Sequence, residues 1–267
     1  MRLKFYILLF TCLATKAQNR DPLTPYECLK LKENVFITET ETKIGDWFIL
    51  LKILKQENRI DLFKFCIPDT NKLNKRCVLG QLGNIDNLFE GKNFYKNVCI
   101  DLPITGVSWE QVQVYLDYYP KIIEFKVGSY QLRHKTSKHL RAALPDSNFY
   151  VTGIKDEHQF LEEKELFKCP FVNMHYENVD FSKCKNKNVN KHPERFCSRD
   201  SVLSIAMFNL NHLYLYDFLG NVAEMSSTKG VAYGGSFLDT YRIGETYRTT
   251  YSKPERWLGF RCMVFAE

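Results

Sequence analysis

The chain has 267 residues, of which 45% are hydrophobic and 14% aromatic, enough to bury one large core and too apolar for a disordered protein. Its net charge of +6, from 37 basic and 31 acidic residues, is modest and spread along the sequence, which argues against a nucleic-acid partner. The densest basic stretches, Lys183 to Lys191 and Arg133 to Arg141, lack the interleaved aromatics of a single-strand binding platform and read as solvated faces.

Arg2 and Lys4, the apolar stretch Phe5 to Leu13 and the small-residue site Thr15-Lys-Ala17 read as an export signal over residues 1–17. An extension over 18–32 and one domain over 33–267 would follow. The apolar stretch is too short to span a membrane, and no transmembrane segment is expected elsewhere. Thr11 precedes Cys12 where a lipidated cysteine usually follows Gly, Ala or Ser, so soluble export to a secreted or periplasmic location is preferred over a lipid anchor at Cys12. Cys12 is one of nine cysteines; the others, at 28, 66, 77, 99, 169, 184, 197 and 262, form an even set that in an exported chain favours disulfides. Their connectivity stays open, although Cys66 with Cys77, or Cys184 with Cys197, would each close a short loop. No Cys-x-x-Cys is present, so a structural zinc site is not expected.

Further along, Asn34 to Glu41 alternates like a half-buried strand, and the apolar run Trp47 to Leu54 predicts a helix behind it. Pro68-Asp69, Gly80, Gly83 and Gly91 break residues 56 to 105 into short segments and turns. Ser108 is then a candidate N-cap, with Gln111 completing a capping box. In the helix that follows, Val112, Tyr115, Leu116 and Tyr119 share one face and are assigned to the core.

The last fifty or so residues carry three motifs in order: Leu215-Tyr-Asp-Phe-Leu-Gly-Asn-Val-Ala-Glu-Met225, Gly234-Gly-Ser-Phe237 and Leu258-Gly-Phe-Arg-Cys262. Together they resemble the C-terminal signature of the formylglycine-generating enzyme family, the sulfatase-modifying-factor domain. Weaker similarity lies at Glu39-Thr-Glu41-Thr-Lys43 and Pro103 to Glu110. It also extends to Tyr130 to Ala143, where the family opens a third helix and Gln131 and Arg133 replace its usual Arg and Pro. The resemblance covers about residues 33–265 and is firm after about residue 210. It implies an irregular α+β fold, C-type-lectin-like, with short twisted strands, few helices and much loop, stiffened by calcium and disulfides.

The same resemblance implies a calcium ion held by the side chains of Asp217 and Glu224 and the carbonyls of Gly220 and Val222, a set of oxygen donors that suits a hard cation. The plainer alternative is that both carboxylates only fix the loop through hydrogen bonds and ion pairs. A second family calcium site has a partial match at His175 to Val179, but Asn190 to Asp200 supplies no second half. Family members that oxidise cysteine carry two copper-binding cysteines after the Gly-Gly-Ser. Here Leu238 to Arg248 contains none, so copper is not expected. Six scattered histidines form no iron triad, and Ser236 lacks a nucleophile elbow.

The segment where the family has its substrate groove instead offers Asp239, Tyr241, Arg242, Glu245 and Arg248, a candidate groove for an anionic or peptide ligand. Arg261 reads as a buried arginine paired with Glu224 or Asp239. These features describe a pseudoenzyme, an exported binding or scaffold protein with a protein or peptide partner, as in a cell-surface assembly. The alternative is a metal-dependent oxidase using a non-cysteine metal site. A lectin-like sugar binder follows from fold analogy alone, and the Glu-Pro-Asn loop of such proteins is absent.

Overall fold

The computed structural model describes residues 24–73, 100–127, 140–163, 174 and 215–266. Strands β1 (Cys28–Lys32) and β2 (Val35–Thr38) pair antiparallel through a tight turn, in which Asn34 takes a left-handed φ of 57° that asparagine tolerates. The chain then enters α1 (Ile44–Gln56), whose Trp47, Leu50, Leu51 and Leu54 are all fully buried. A short helix α2 (Ile60–Phe65) and a single 3-10 turn (Thr70–Lys72) follow.

Helix α3 (Trp109–Val127) begins with the expected capping box. The Ser108 amide donates to Gln111 Oε1 at 2.6 Å and the Gln111 amide donates to Ser108 Oγ at 3.2 Å. Its Val112, Tyr115, Leu116 and Tyr119 are buried against α1, where Tyr115 stacks on Trp47 with ring centroids 5.6 Å apart. Ser108→Ala would orphan the Gln111 amide, so chemical denaturation is expected to read a loss of about 1 kcal/mol.

The third helix expected from residue 130 onward lies elsewhere. Residues 128–139 lie outside those described, and Leu140–Ala143 form strand β3, while helix α4 runs from Ser147 to Glu163. The cause is a cap: Pro145 precedes Asp146, whose Oδ1 accepts from the Phe149 amide at 2.7 Å and starts the helix there. Upstream, the backbone of β3 is claimed by the C-terminal strand β8 (Met263–Ala266), with Leu140 opposite Ala266 and Ala143 opposite Met263. The first sheet therefore has the order β1-β2-β8-β3.

A second sheet, order β6-β5-β4-β7, is built from β4 (Ala223–Met225), β5 (Val231–Tyr233), β6 (Thr249–Thr250) and β7 (Leu258–Gly259). Four helices among the described residues, two small sheets and long connecting loops make this the expected irregular α+β fold. None of these helices is long and apolar enough to cross a membrane.

Cys28, Cys66 and Cys262 are buried free thiols, which corrects the disulfide expectation for these three. Cys28 lies opposite Thr38, and the Thr38 amide bonds the Cys262 carbonyl, so the two cysteines are two strand spacings apart. That is roughly 9–10 Å, beyond the Cα separation a disulfide spans. Burial pushes the Cys28 and Cys66 thiols up to about 12, which leaves them protonated and unreactive. Cys77, Cys99, Cys169, Cys184 and Cys197 lie outside the described residues, as do the partial second calcium motif and the proposed signal.

Candidate functional site

Asp217, Gly220 and Asn221 all take left-handed backbone angles, with φ of 51°, 80° and 60°, and so wind residues 217–221 into a tight coil. The Gly220 amide donates to the Gly234 carbonyl at 2.9 Å, seating the coil on the Gly-Gly-Ser motif. Gly234 has φ 87°, and a Cβ there would lie 2.9 Å from the Phe218 carbonyl oxygen, so only glycine lets the two backbones approach this closely. The two motifs are thus halves of one packing unit.

The coil leads directly into β4, which carries Glu224. Arg261 Nε lies 2.7 Å from each Glu224 carboxylate oxygen and Nη2 lies 2.6 Å from Oε1, while the Tyr150 hydroxyl on α4 donates to Oε2 at 3.0 Å. Arg261 also donates to the carbonyls of Thr38 at 3.2 Å and Tyr216 at 2.9 Å. Its expected partner is therefore Glu224. Asp239 instead accepts from the amide and hydroxyl of Ser236, both at 2.8 Å. Burial alone would lower the Arg261 pKa, but Glu224 reverses this and holds it above its usual value.

A third acid joins them. Glu41, 1% exposed, accepts from Asn221 Nδ2 at 3.1 Å and 3.3 Å. Burial, then the neighbouring charges of Asp217 and Glu224, raise its carboxyl well above the usual range. Glu41 is thus buried near Asp217 and Glu224, with the Arg261 guanidinium paired to Glu224. A raised Glu41 carboxyl keeps its proton, which relieves the crowding of charge in a dry interior.

The donor set of Asp217, Glu224 and the Gly220 and Val222 carbonyls fits calcium in residue type and charge, and all four residues are buried in one continuous stretch. Glu224 would be shared with Arg261. Among the described residues no three His, Cys, Asp or Glu side chains converge as a metal site, so carbonyls would have to supply much of the coordination.

The groove candidates Asp239, Tyr241, Arg242, Glu245 and Arg248 all lie on the loop between β5 and β6. Asp239, Arg242, Glu245 and Arg248 are exposed, and Tyr241 is half-buried. The loop rests on α4 through His158, whose Nε2 lies 2.9 Å from the Glu245 carbonyl and whose Nδ1 lies 3.4 Å from the Tyr241 hydroxyl. Glu41, Tyr150, Asn221 and His158 were not among the residues expected at the site. Glu41 and Asn221 stand inside quoted motifs. Tyr150 and His158 carry no local signal beyond lying on one helix.

An irregular α+β domain, its acidic coil seated on a diglycine crossing and clamped by a buried arginine, defines the class. The sulfatase-modifying factor enzyme 1-like domain model matches residues 83–266, and the chain belongs to that family. The solved structures similar to it include two of comparable coverage. One, titled "Crystal Structure of CarF", is 14% identical, with 87% of this chain and 86% of that chain covered at a TM-score of 0.45. The other, PvdO from Pseudomonas aeruginosa, is also 14% identical, with 86% and 80% covered at a TM-score of 0.41. No curated protein matches the sequence significantly.

Proposed function

We propose that this protein is an exported, non-catalytic binding or scaffold protein on the sulfatase-modifying-factor fold, stabilised by calcium at Asp217, Glu224 and the Gly220 and Val222 carbonyls. The observation that carries the non-catalytic reading is the segment after Gly235-Ser236. In place of soft thiolates it has an exposed row of Asp239, Arg242, Glu245 and Arg248, with the half-buried Tyr241 and Tyr247. Charged forks beside aromatic rings suit recognition of a protein or peptide partner better than holding Cu(I). Cys262, the nearest thiol beyond this segment, is buried beside Thr42, and burial raises its pKa above the usual range.

The calcium reading is supported by the oxygen donors of Asp217, Gly220, Val222 and Glu224, all buried in one continuous stretch. The ion would supply positive charge that holds the coil, with no bond-making role. Elemental analysis of the purified protein is expected to find stoichiometric calcium without copper or iron. Chelation is expected to lower the melting temperature by roughly 5–10 °C, the range for losing a ligand present at about a hundred times its Kd. Bound copper or iron would overturn the non-catalytic reading.

Asp217→Asn separates an ion from a proton, because asparagine keeps the left-handed backbone at φ 51° while removing the charge. With calcium bound, this variant loses the calcium-dependent part of the melting temperature. If a proton alone balances the cluster, the variant melts higher and is indifferent to chelator.

A further inference from the structure

Side-chain contacts help to anchor the loop of residues 240–247. The one backbone–backbone bond within it among the described residues, from the Glu245 amide to the Arg242 carbonyl, is long at 3.4 Å. Tyr247, in a left-handed conformation at φ 49°, closes the loop on itself: its hydroxyl accepts from the Arg242 amide and donates to the Arg242 carbonyl at 2.9 Å. The tip stands in open space. Gly244 has φ 81°, a Cβ added there would meet no atom within 4 Å, and Ile243 is 43% exposed.

Two polar contacts between this loop and α4 are made by one imidazole. The Glu245 carbonyl can only accept, so His158 Nε2 must carry the proton and donate to it at 2.9 Å. Nδ1 is then the acceptor for the Tyr241 hydroxyl at 3.4 Å. The rings of Tyr241 and Tyr247 lean on the imidazole with centroids 5.9 Å and 6.5 Å away. Both ring nitrogens are satisfied only in the neutral form.

We propose that His158 is a latch that holds residues 240–247 against α4 while its ring is neutral and releases them when the ring takes up a proton. Protonation converts Nδ1 from acceptor to donor against a hydroxyl that had been donating to it, and places a charge at a residue only 5% exposed. Among the described residues, the groups facing the ring are Tyr241 and Tyr247 from the loop and Glu162 from α4, with Glu157 adjacent in sequence and acting on Tyr241. Burial lowers the His158 pKa and outweighs the bond to the Glu245 carbonyl and the charge of Glu162, both of which favour the charged ring. The released loop therefore binds the proton more tightly than the latched one. Opening is favoured as pH falls below the ordinary histidine value of about 6.5, and levels off below the lowered value.

The released loop would present Tyr241 and Tyr247 beside Ile243. If this segment binds a partner as proposed above, acid would change the surface on offer. The latch can be read without any partner, so the two readings fail separately.

The test is hydrogen exchange of the full chain at pH 7.5 and 5.5, corrected for intrinsic rates, on peptides containing the Arg242 and Glu245 amides. Protection in the native protein is expected to fall roughly two- to tenfold on acidification, the range of one lost hydrogen bond. His158→Gln keeps a donor for the Glu245 carbonyl and does not titrate, so its protection should be the same at both pH values. His158→Ala should be unprotected at both. Unchanged protection in the native protein, or an equal acid loss in His158→Gln, would overturn the latch; should His158→Ala not fold, the glutamine variant decides alone.

Discussion

Arg261→Leu is expected to destabilise the protein by about 3–5 kcal/mol, the cost of leaving a buried charge without its partner. The substitution strips Glu224 of three short contacts and leaves it buried near Glu41 without a guanidinium. It also deprives the Thr38 and Tyr216 carbonyls of a donor, so the coil loses one of its ties to the end of β2. Urea denaturation gives the measurement, and a loss under about 1 kcal/mol would show that the clamp is not what holds the site. The double variant Arg261→Leu with Glu224→Leu should recover much of the loss, because an apolar pair removes the orphaned charge along with its partner.

Trp47→Ala should cost a similar amount, about 3–5 kcal/mol, through a different mechanism. Trp47 is fully buried, stacked on Tyr115 at 5.6 Å and edge-on to Phe260 at 6.2 Å. Phe260 belongs to the Leu-Gly-Phe-Arg-Cys motif, one residue before the arginine clamp, so the cavity opens directly behind the site. Trp47→Phe keeps most of the volume but loses the indole bond to the Cys66 carbonyl at 2.9 Å, and should cost about 1–2 kcal/mol. Equal losses from the two variants would mean that the hydrogen bond, and not the packed ring, accounts for the effect.

How much of this was legible in the sequence depended on range. The capping box at Ser108 and Gln111, the core face of α3 and the apolar run of α1 are local patterns, and each stands where expected. The diglycine stands in a quoted motif, and only the fold shows that the Phe218 carbonyl is what approaches Gly234. The helix expected near residues 130–143 was misplaced. Residues 140–143 are strand because β8, more than a hundred residues downstream, pairs with them. The helix start is signalled locally by Pro145-Asp146, a stronger cap than anything the family pattern offers upstream.

Disulfides were inferred from an even cysteine count. That count carries no information on geometry, and two strand spacings separate Cys28 from Cys262.

The family, the α+β class, the helix faces and the carboxylates at Asp217 and Glu224 were determined by the sequence alone, because motif order, periodicity and turn chemistry are encoded in neighbouring residues. The tertiary structure alone decided that Arg261 takes Glu224 and not Asp239, that Glu41 joins the acidic cluster, and that His158 meets the 240–247 loop. Glu41 and Asn221 are 180 positions apart and Arg261 and Thr38 are 223 apart. At such separations a pairing follows from how the two sheets and α4 enclose a common core, since charge and burial select the partner only after packing has brought the candidates within reach.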